Sequence, residues 1–179
     1  MLGAISHFRT ITKHRHKVVA LCFKAGIPIR GLLHDLSKYT LTEFICGAKF
    51  YQGTRSPNEM ERETYGYSKA WLHHKGRNRH QFEYWTDYNI KTRCVEPVKM
   101  PLKFVIEMFC DRVAASKIYN GKNYTDKTPF DYYDNRRDCR KIHAETAKFL
   151  EKLLVMLYEK GEDYTFKYIR TYLKTHKDY

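Results

Sequence analysis

His34 and Asp35 stand side by side in the stretch GLLHDLSKY, residues 31–39, inside a leucine-rich run that otherwise reads as buried helix. A carboxylate buried there costs several kcal/mol unless a cation or hydrogen-bond donors compensate it. Neighbours on a helix point about 100° apart, so both side chains serve one centre only if that centre lies between their directions. An ion held by an imidazole nitrogen and a carboxylate oxygen fits that geometry. A His-Asp pair alone is weak evidence, and its company gives it weight.

That company is spread along the chain as separate helices would supply it. His14 precedes Val18, Leu21 and Cys22 at i+4, i+7 and i+8, which puts it on a buried helical face; His16, with Ala20 and Phe23 behind it, is its competitor. The stretch WLHHKGRNRH, residues 71–80, adds His73 and His74 at a helix end and His80 just past the break. In KFVIEMFCDRVAASKIY the residues Phe104, Met108, Asp111, Ala115 and Ile118 share a stripe, so Asp111 interrupts an apolar face. Each of these residues taken singly is as readily a core histidine or a salt bridge. Together, several imidazoles and two carboxylates without a thiolate suit one or two divalent transition-metal ions, iron or manganese first, then zinc, nickel or cobalt. The metal candidates are therefore His14, His34, Asp35, His73, His74, His80 and Asp111.

The elements that must position these residues read as helices. Apolar spacing predicts a first helix over 5–25 ended by Gly26 and Pro28, a second over 29–38, and a third opened by a capping box of Thr40 and Glu43 and running to 50. A loop follows at YQGTRSPNEME, and Asn58 with Glu61 starts a helix toward His74. The region around Trp85 and Pro97 is less regular. Pro101 opens a helix to about Tyr119, NGKNYTDKTP is a polar loop, and a helix from about Asp138 to Lys160 stops at Gly161 before a last one from about Tyr164. No strand alternation competes, and the expected fold is all-α, six or seven helices around one core, as a single domain over 1–179.

Composition agrees with that class. The chain has 179 residues, 42% hydrophobic and 15% aromatic, with 9 Gly and 5 Pro, as a globular rather than disordered protein does. Five widely spaced cysteines (Cys22, Cys46, Cys94, Cys110, Cys139) without a C-x-x-C pair argue against a disulfide framework and a thiolate zinc site. No apolar run approaches the roughly 20 residues of a membrane span, and the N-terminal residues lack the apolar core of a secretion signal, so the expectation is a cytoplasmic protein. A formal charge of +13 favours anionic partners.

The order of His14, the pair at 34 and 35, and Asp111 opening DRVAAS resembles the HD-domain superfamily of metal-dependent phosphohydrolases. The resemblance implies an all-α fold with ligands from successive helices, and a second ion held by the histidines at 73, 74 and 80 as in the binuclear branch. HDLSK also resembles that branch's His-Asp-x-x-Lys, which makes Lys38 the residue that binds or protonates substrate phosphate. GLLHDLSKY, YQGTRSPNE, AWLHHKGRNRH, EMFCDRVAASK and YNGKNYTD together resemble an uncharacterised bacterial and phage family of HD-like proteins, over nearly the whole chain. That family's pattern carries histidines where this chain has Lys13 and Gln81, which leaves His14 and His80 as the ligands of those pairs.

The implied reaction is hydrolysis of a nucleotide or another small phosphoester, with a water activated by the ion attacking phosphorus. Asp35 and Lys38 are the expected catalytic residues, and Lys38, Arg55, Lys75, Arg77, Asn78, Arg112 and Lys117 the candidates for phosphate contacts. Two rival readings stand beside it: a non-catalytic, basic nucleic-acid-binding accessory protein, and a di-iron oxygen-using oxidase on the same scaffold. The positive charge and Lys38 rank phosphohydrolysis first. His143 reads as a helix N-terminal or peripheral residue, and His7 and His176 as surface residues.

Overall fold

A computed structural model describes residues 2–135 and 140–179. Asp138, read as a helix start, and Cys139 lie outside the described residues. The described chain forms α1 (Leu2–Ala25), α2 (Pro28–Leu33), α3 (Leu41–Lys49), α4 (Pro57–Tyr65), α5 (Lys69–Lys75), α6 (Leu102–Asn120), α7 (Thr128–Asp134) and α8 (Ala144–Thr175), with short 3-10 turns at Leu36–Tyr39, Phe82–Tyr84 and Gly121–Asn123. Among the described residues no helix is long and apolar enough to cross a membrane.

The fold is mostly helical but not purely all-α. A two-stranded antiparallel hairpin, β1 (Thr86–Asn89) and β2 (Cys94–Pro97), pairs Thr86 with Pro97 and Asn89 with Cys94 in the region read as irregular. Its side chains are largely exposed, so no apolar alternation marked it. Asn89 and Thr92 donate to the Glu96 carboxylate, and Arg93 takes a left-handed φ of 57° to close the turn. Helix α7 also fell in a stretch without an apolar repeat.

Helix α6 is the axis of the core. Phe104, Val105, Ile106, Met108, Phe109, Cys110, Val113 and Ala114 are all buried, packed against Val18, Leu21, Cys22 and Ala25 of α1 and Leu150, Leu153, Leu154, Leu157, Phe166 and Ile169 of α8. At roughly 1.5–3 kcal/mol per large apolar side chain fully buried, this cluster is what fixes α1 beside α6. The helix expected from 58 toward His74 is two, because Gly66 ends α4 with a φ of 77°. Glu61 does not cap α4; it accepts from the Ser68 hydroxyl and the Ala70 amide at the start of α5. Helix α8 begins at Ala144, with His143 as its N-cap residue, and is interrupted at Gly161 by a φ of 80°.

Helix α2 crosses α1 so closely that a Cβ on Gly31 would lie 2.6 Å from Cys22 Cβ and 3.2 Å from Val19 Cα. Only glycine fits that crossing, and it brings the following His34 down onto the α1–α6 core.

Candidate metal centre

The His-Asp pair does not lie on a helix. Helix α2 ends at Leu33, His34 is extended (φ −60°, ψ 130°), and Asp35 is left-handed (φ 52°, ψ 26°) before the 3-10 turn. A non-glycine residue at positive φ is uncommon, and aspartate is among the few that tolerate it. The break removes the angular restriction of a continuous helix, so both side chains turn inward; His34 and Asp35 are each 1% exposed. Arg15 holds the turn by donating to the Leu32 carbonyl (2.5 Å) and to that of His34 (3.3 Å).

Around Asp35 the donors form two adjoining groups. His14, His34, Asp35 and Asp111 place one ligand atom each within 4.8 Å of one another, and so do Asp35, His74 and His80. His14 Nε2 is 2.9 Å from Asp111 Oδ1 and His34 Nε2 is 3.3 Å from Asp35 Oδ2. The other Asp35 oxygen, Oδ1, is 3.3 Å from His74 Nε2 and 3.4 Å from His80 Nε2. His14 Nε2, His34 Nε2 and Asp35 Oδ1 are buried without a hydrogen-bond partner, and Asp35 Oδ2 meets the Lys38 ammonium at 2.5 Å. Buried polar atoms of native proteins are almost always satisfied. Imidazole nitrogens and carboxylate oxygens converging on common points fit a divalent cation held by nitrogen and oxygen.

Two carboxylates that the sequence reading passed over set the imidazoles in place. Glu107, 0% exposed, accepts from His34 Nδ1 (3.1 Å) through Oε1, which lies 3.4 Å from His80 Nδ1, and its other oxygen accepts from Arg30 Nε (2.8 Å). Glu43 accepts from Nδ1 of both His73 (2.7 Å) and His74 (2.8 Å). A carboxylate on Nδ1–H leaves the Nε2 lone pair of His34 and of His74 facing Asp35, which is how metal-binding histidines are oriented. Glu43 was read as the second half of a capping box, but Thr40 makes no such cap and donates instead to the Ser37 carbonyl. The signal for Glu107 was its place four residues before Asp111, on the same helical face.

The electrostatics suit a cation. Burial alone would raise the Asp35 and Asp111 carboxyls. Instead the neighbouring imidazoles, with Lys38 at Asp35, hold both well below the usual carboxylate range. Glu107 is lowered to about 2 because His34 and His80 outweigh its burial. His14 is pushed down by burial and by the Lys38 charge, which favours the neutral ring that ligation requires. His34 goes the other way: against its burial, Asp35, Asp111 and Glu107 hold it well above its ordinary value, a positive charge that a bound cation would replace. Four carboxylates (Asp35, Glu43, Glu107, Asp111) meet three permanent cations, Lys38 on Asp35 Oδ2 at 2.5 Å, Arg30 on Glu107 and Arg112 beside Asp111.

Six of the expected metal residues therefore come together: His14, His34, Asp35, His74, His80 and Asp111. His73 does not join them, because Glu43 holds it to one side, and His16 is exposed on the outer side of α1. The Gln81 carboxamide donates to His80 Nε2 (2.9 Å). Of the phosphate candidates, Lys38 lies at the mouth with 30% of its side chain exposed, and Arg112 is half-buried beside Asp111. Asn78 is a clamp, donating to Ser37 Oγ (2.7 Å) and the His74 carbonyl (2.8 Å). Lys75 is half-buried, and the exposed Arg77 reaches back to the His73 carbonyl (3.4 Å). Arg55 is taken by Glu63 in a surface pair and Lys117 by Glu162, so neither has a ligand carboxylate as its partner. His7 is not a surface residue; it is buried against Phe44, Gly47 and Tyr51.

A model of a family of unknown function (DUF5662) matches residues 3–156, a span that includes every residue of this centre. The chain belongs to that family. No curated protein and no solved structure matches it. For this DUF5662 member the functional reading rests on the cluster itself, and the matched span ends within α8, after the last helix that contributes to it.

Proposed function

We propose that this protein is a metal-dependent phosphohydrolase of the HD-domain type, acting on a nucleotide or another small phosphoester. The observation that carries the reading is the placement of Asp35: a buried carboxylate between two histidine groups, with Oδ1 unpartnered beside His74 and His80 and Oδ2 between His34 and the Lys38 ammonium. His14, His34, Asp35 and Asp111 would hold one ion and Asp35, His74 and His80 a second. Such ions supply Lewis acidity to a water molecule and to a phosphoryl oxygen.

The chain's own residues do the rest. Glu107 and Glu43 keep the imidazoles turned toward Asp35. Lys38, held by Asp35 and open to solvent on one side, binds an incoming phosphate and places it over the carboxylate. The burial of Asp35 and His34 restricts bulk water around the reacting phosphorus, where charge interactions are stronger. Lys38 favours this reading over an oxidase to the extent that it offers an ammonium to a substrate phosphate.

The test is elemental analysis of the purified protein together with a panel of nucleotides and phosphomonoesters. One to two transition-metal ions per chain, phosphate release, and loss of both in Asp35→Ala and Asp111→Ala are expected. A metal-free protein whose stability is indifferent to chelator would remove the centre. Bound metal with oxygen uptake on reduction and no phosphate release would replace hydrolysis with oxidation.

A further inference from the structure

We propose that the outer face of α1 is a docking surface for single-stranded nucleic acid. Between Leu2 and Ala25 this helix contains no aspartate or glutamate, yet it carries Arg9, Lys13, Arg15, Lys17 and Lys24. Lys24 is engaged by Glu162 and Asp163, and Arg15 by the Leu32 and His34 carbonyls. Arg9, Lys13 and Lys17 have no acidic partner among the described residues, and they share one exposed face of α1 with Phe8, Thr12, His16 and Ala20. These three cations recur at i+4, about 6 Å apart along the axis.

A row of like charges repels itself, and a helix that keeps every acid off such a row complements a polyanion. The arrangement favours nucleic acid because an aromatic ring lies on the same face beside the cations. Phe8 is half-exposed and meets the Tyr39 ring edge-on at 5.9 Å, while Thr12 and Tyr39 share a hydroxyl contact of 3.1 Å. Backbone phosphates on a basic row and a base stacked on a neighbouring ring is how single strands are held without sequence readout. An anionic membrane fits less well. A surface-bound helix inserts its apolar face, and that of α1 (Val18, Leu21, Cys22, Ala25) is already buried in the core. Tyr39, which touches Phe8 and Thr12, is next in the chain to Lys38. Binding on this face needs no ion, so it stands apart from the hydrolytic reading.

The experiment is fluorescence anisotropy of a labelled oligouridylate, titrated with the full chain in chelator across a salt series. Wild type should bind, with log K falling against log salt at a slope that includes about −2 from three contacts at roughly −0.7 each. Arg9→Ala/Lys13→Ala/Lys17→Ala should bind at least about tenfold more weakly and lose that part of the slope. Phe8→Ala should weaken binding severalfold with the slope retained. Lys160→Ala/Lys167→Ala/Lys174→Ala, three exposed lysines of α8 with the same net-charge change, should bind as wild type, and so should Asp35→Asn. Equal losses in both triple variants, no binding by wild type, or α1-dependent binding of phosphatidylserine vesicles without binding of the oligonucleotide would each overturn the proposal. Absence of phosphate release in the panel above would leave it standing.

Discussion

Glu107 Oε1 lies 3.1 Å from His34 Nδ1, inside the core and out of reach of solvent. The carboxylate fixes the tautomer and the plane of the ring, and Arg30 on its second oxygen fixes the carboxylate. Glu107→Gln keeps the volume but exchanges a charge-assisted acceptor for an amide that binds either ring nitrogen. Metal affinity should fall by roughly 10–100-fold, the usual cost of removing such a partner. Competition with a chromophoric chelator measures it, and unchanged affinity would leave His34 to orient itself.

Lys38 lies 2.5 Å from Asp35 Oδ2 but is not itself a ligand. Lys38→Met should therefore keep its metal and lose phosphate release, chiefly through a higher KM if the ammonium only binds phosphate and through kcat if it also donates a proton. Metal content by mass spectrometry and steady-state kinetics separate the cases. Full activity in Lys38→Met would contradict the role assigned to it.

Gly47 packs flat on His7, and a Cβ at that position would lie 2.2 Å from His7 Nε2 and 2.5 Å from Cε1. Since the imidazole is wedged between Phe44 and Tyr51, it has little room to retreat. Gly47→Ala should cost about 1–3 kcal/mol as overpacking does, read as a lower urea midpoint at an unchanged m-value.

His7 also makes the fold sensitive to acid. Burial and the nearby Lys38 charge lower it from 6.5 to about 4. An imidazole depressed in the folded state contributes stability that is complete above pH 6.5 and declines as pH falls toward 4, because the unfolded chain takes up the proton first. The decline attributable to this residue is on the order of 3 kcal/mol across that window. Urea midpoints at pH 7 and pH 4.5 should converge in His7→Gln relative to wild type; an identical pH profile in the variant would exclude the effect.

The chain alone determined which residues lie near one another in type and order. A histidine on the buried stripe of a 24-residue helix, a His-Asp pair, a histidine-rich helix end and an aspartate breaking an apolar stripe were each legible, because helical periodicity makes a misplaced polar residue visible locally. So were α1 and α6, whose apolar repeats are long, while α3 was expected from a capping box that Thr40 does not make. Composition and local spacing could not choose between His14 and His16 or between His73 and His74, since in each pair both residues fit the repeat. The tertiary structure decided for His14 by burying its side of α1 against α6. It decided for His74 because Glu43, one helix away, turns its Nε2 toward Asp35. The left-handed backbone at Asp35, the second role of Glu43, and Glu107 between Arg30 and two histidines depend on partners 17 to 77 residues distant. Long-range packing alone could set them, because the repeat that makes a helix legible holds no record of what its faces meet.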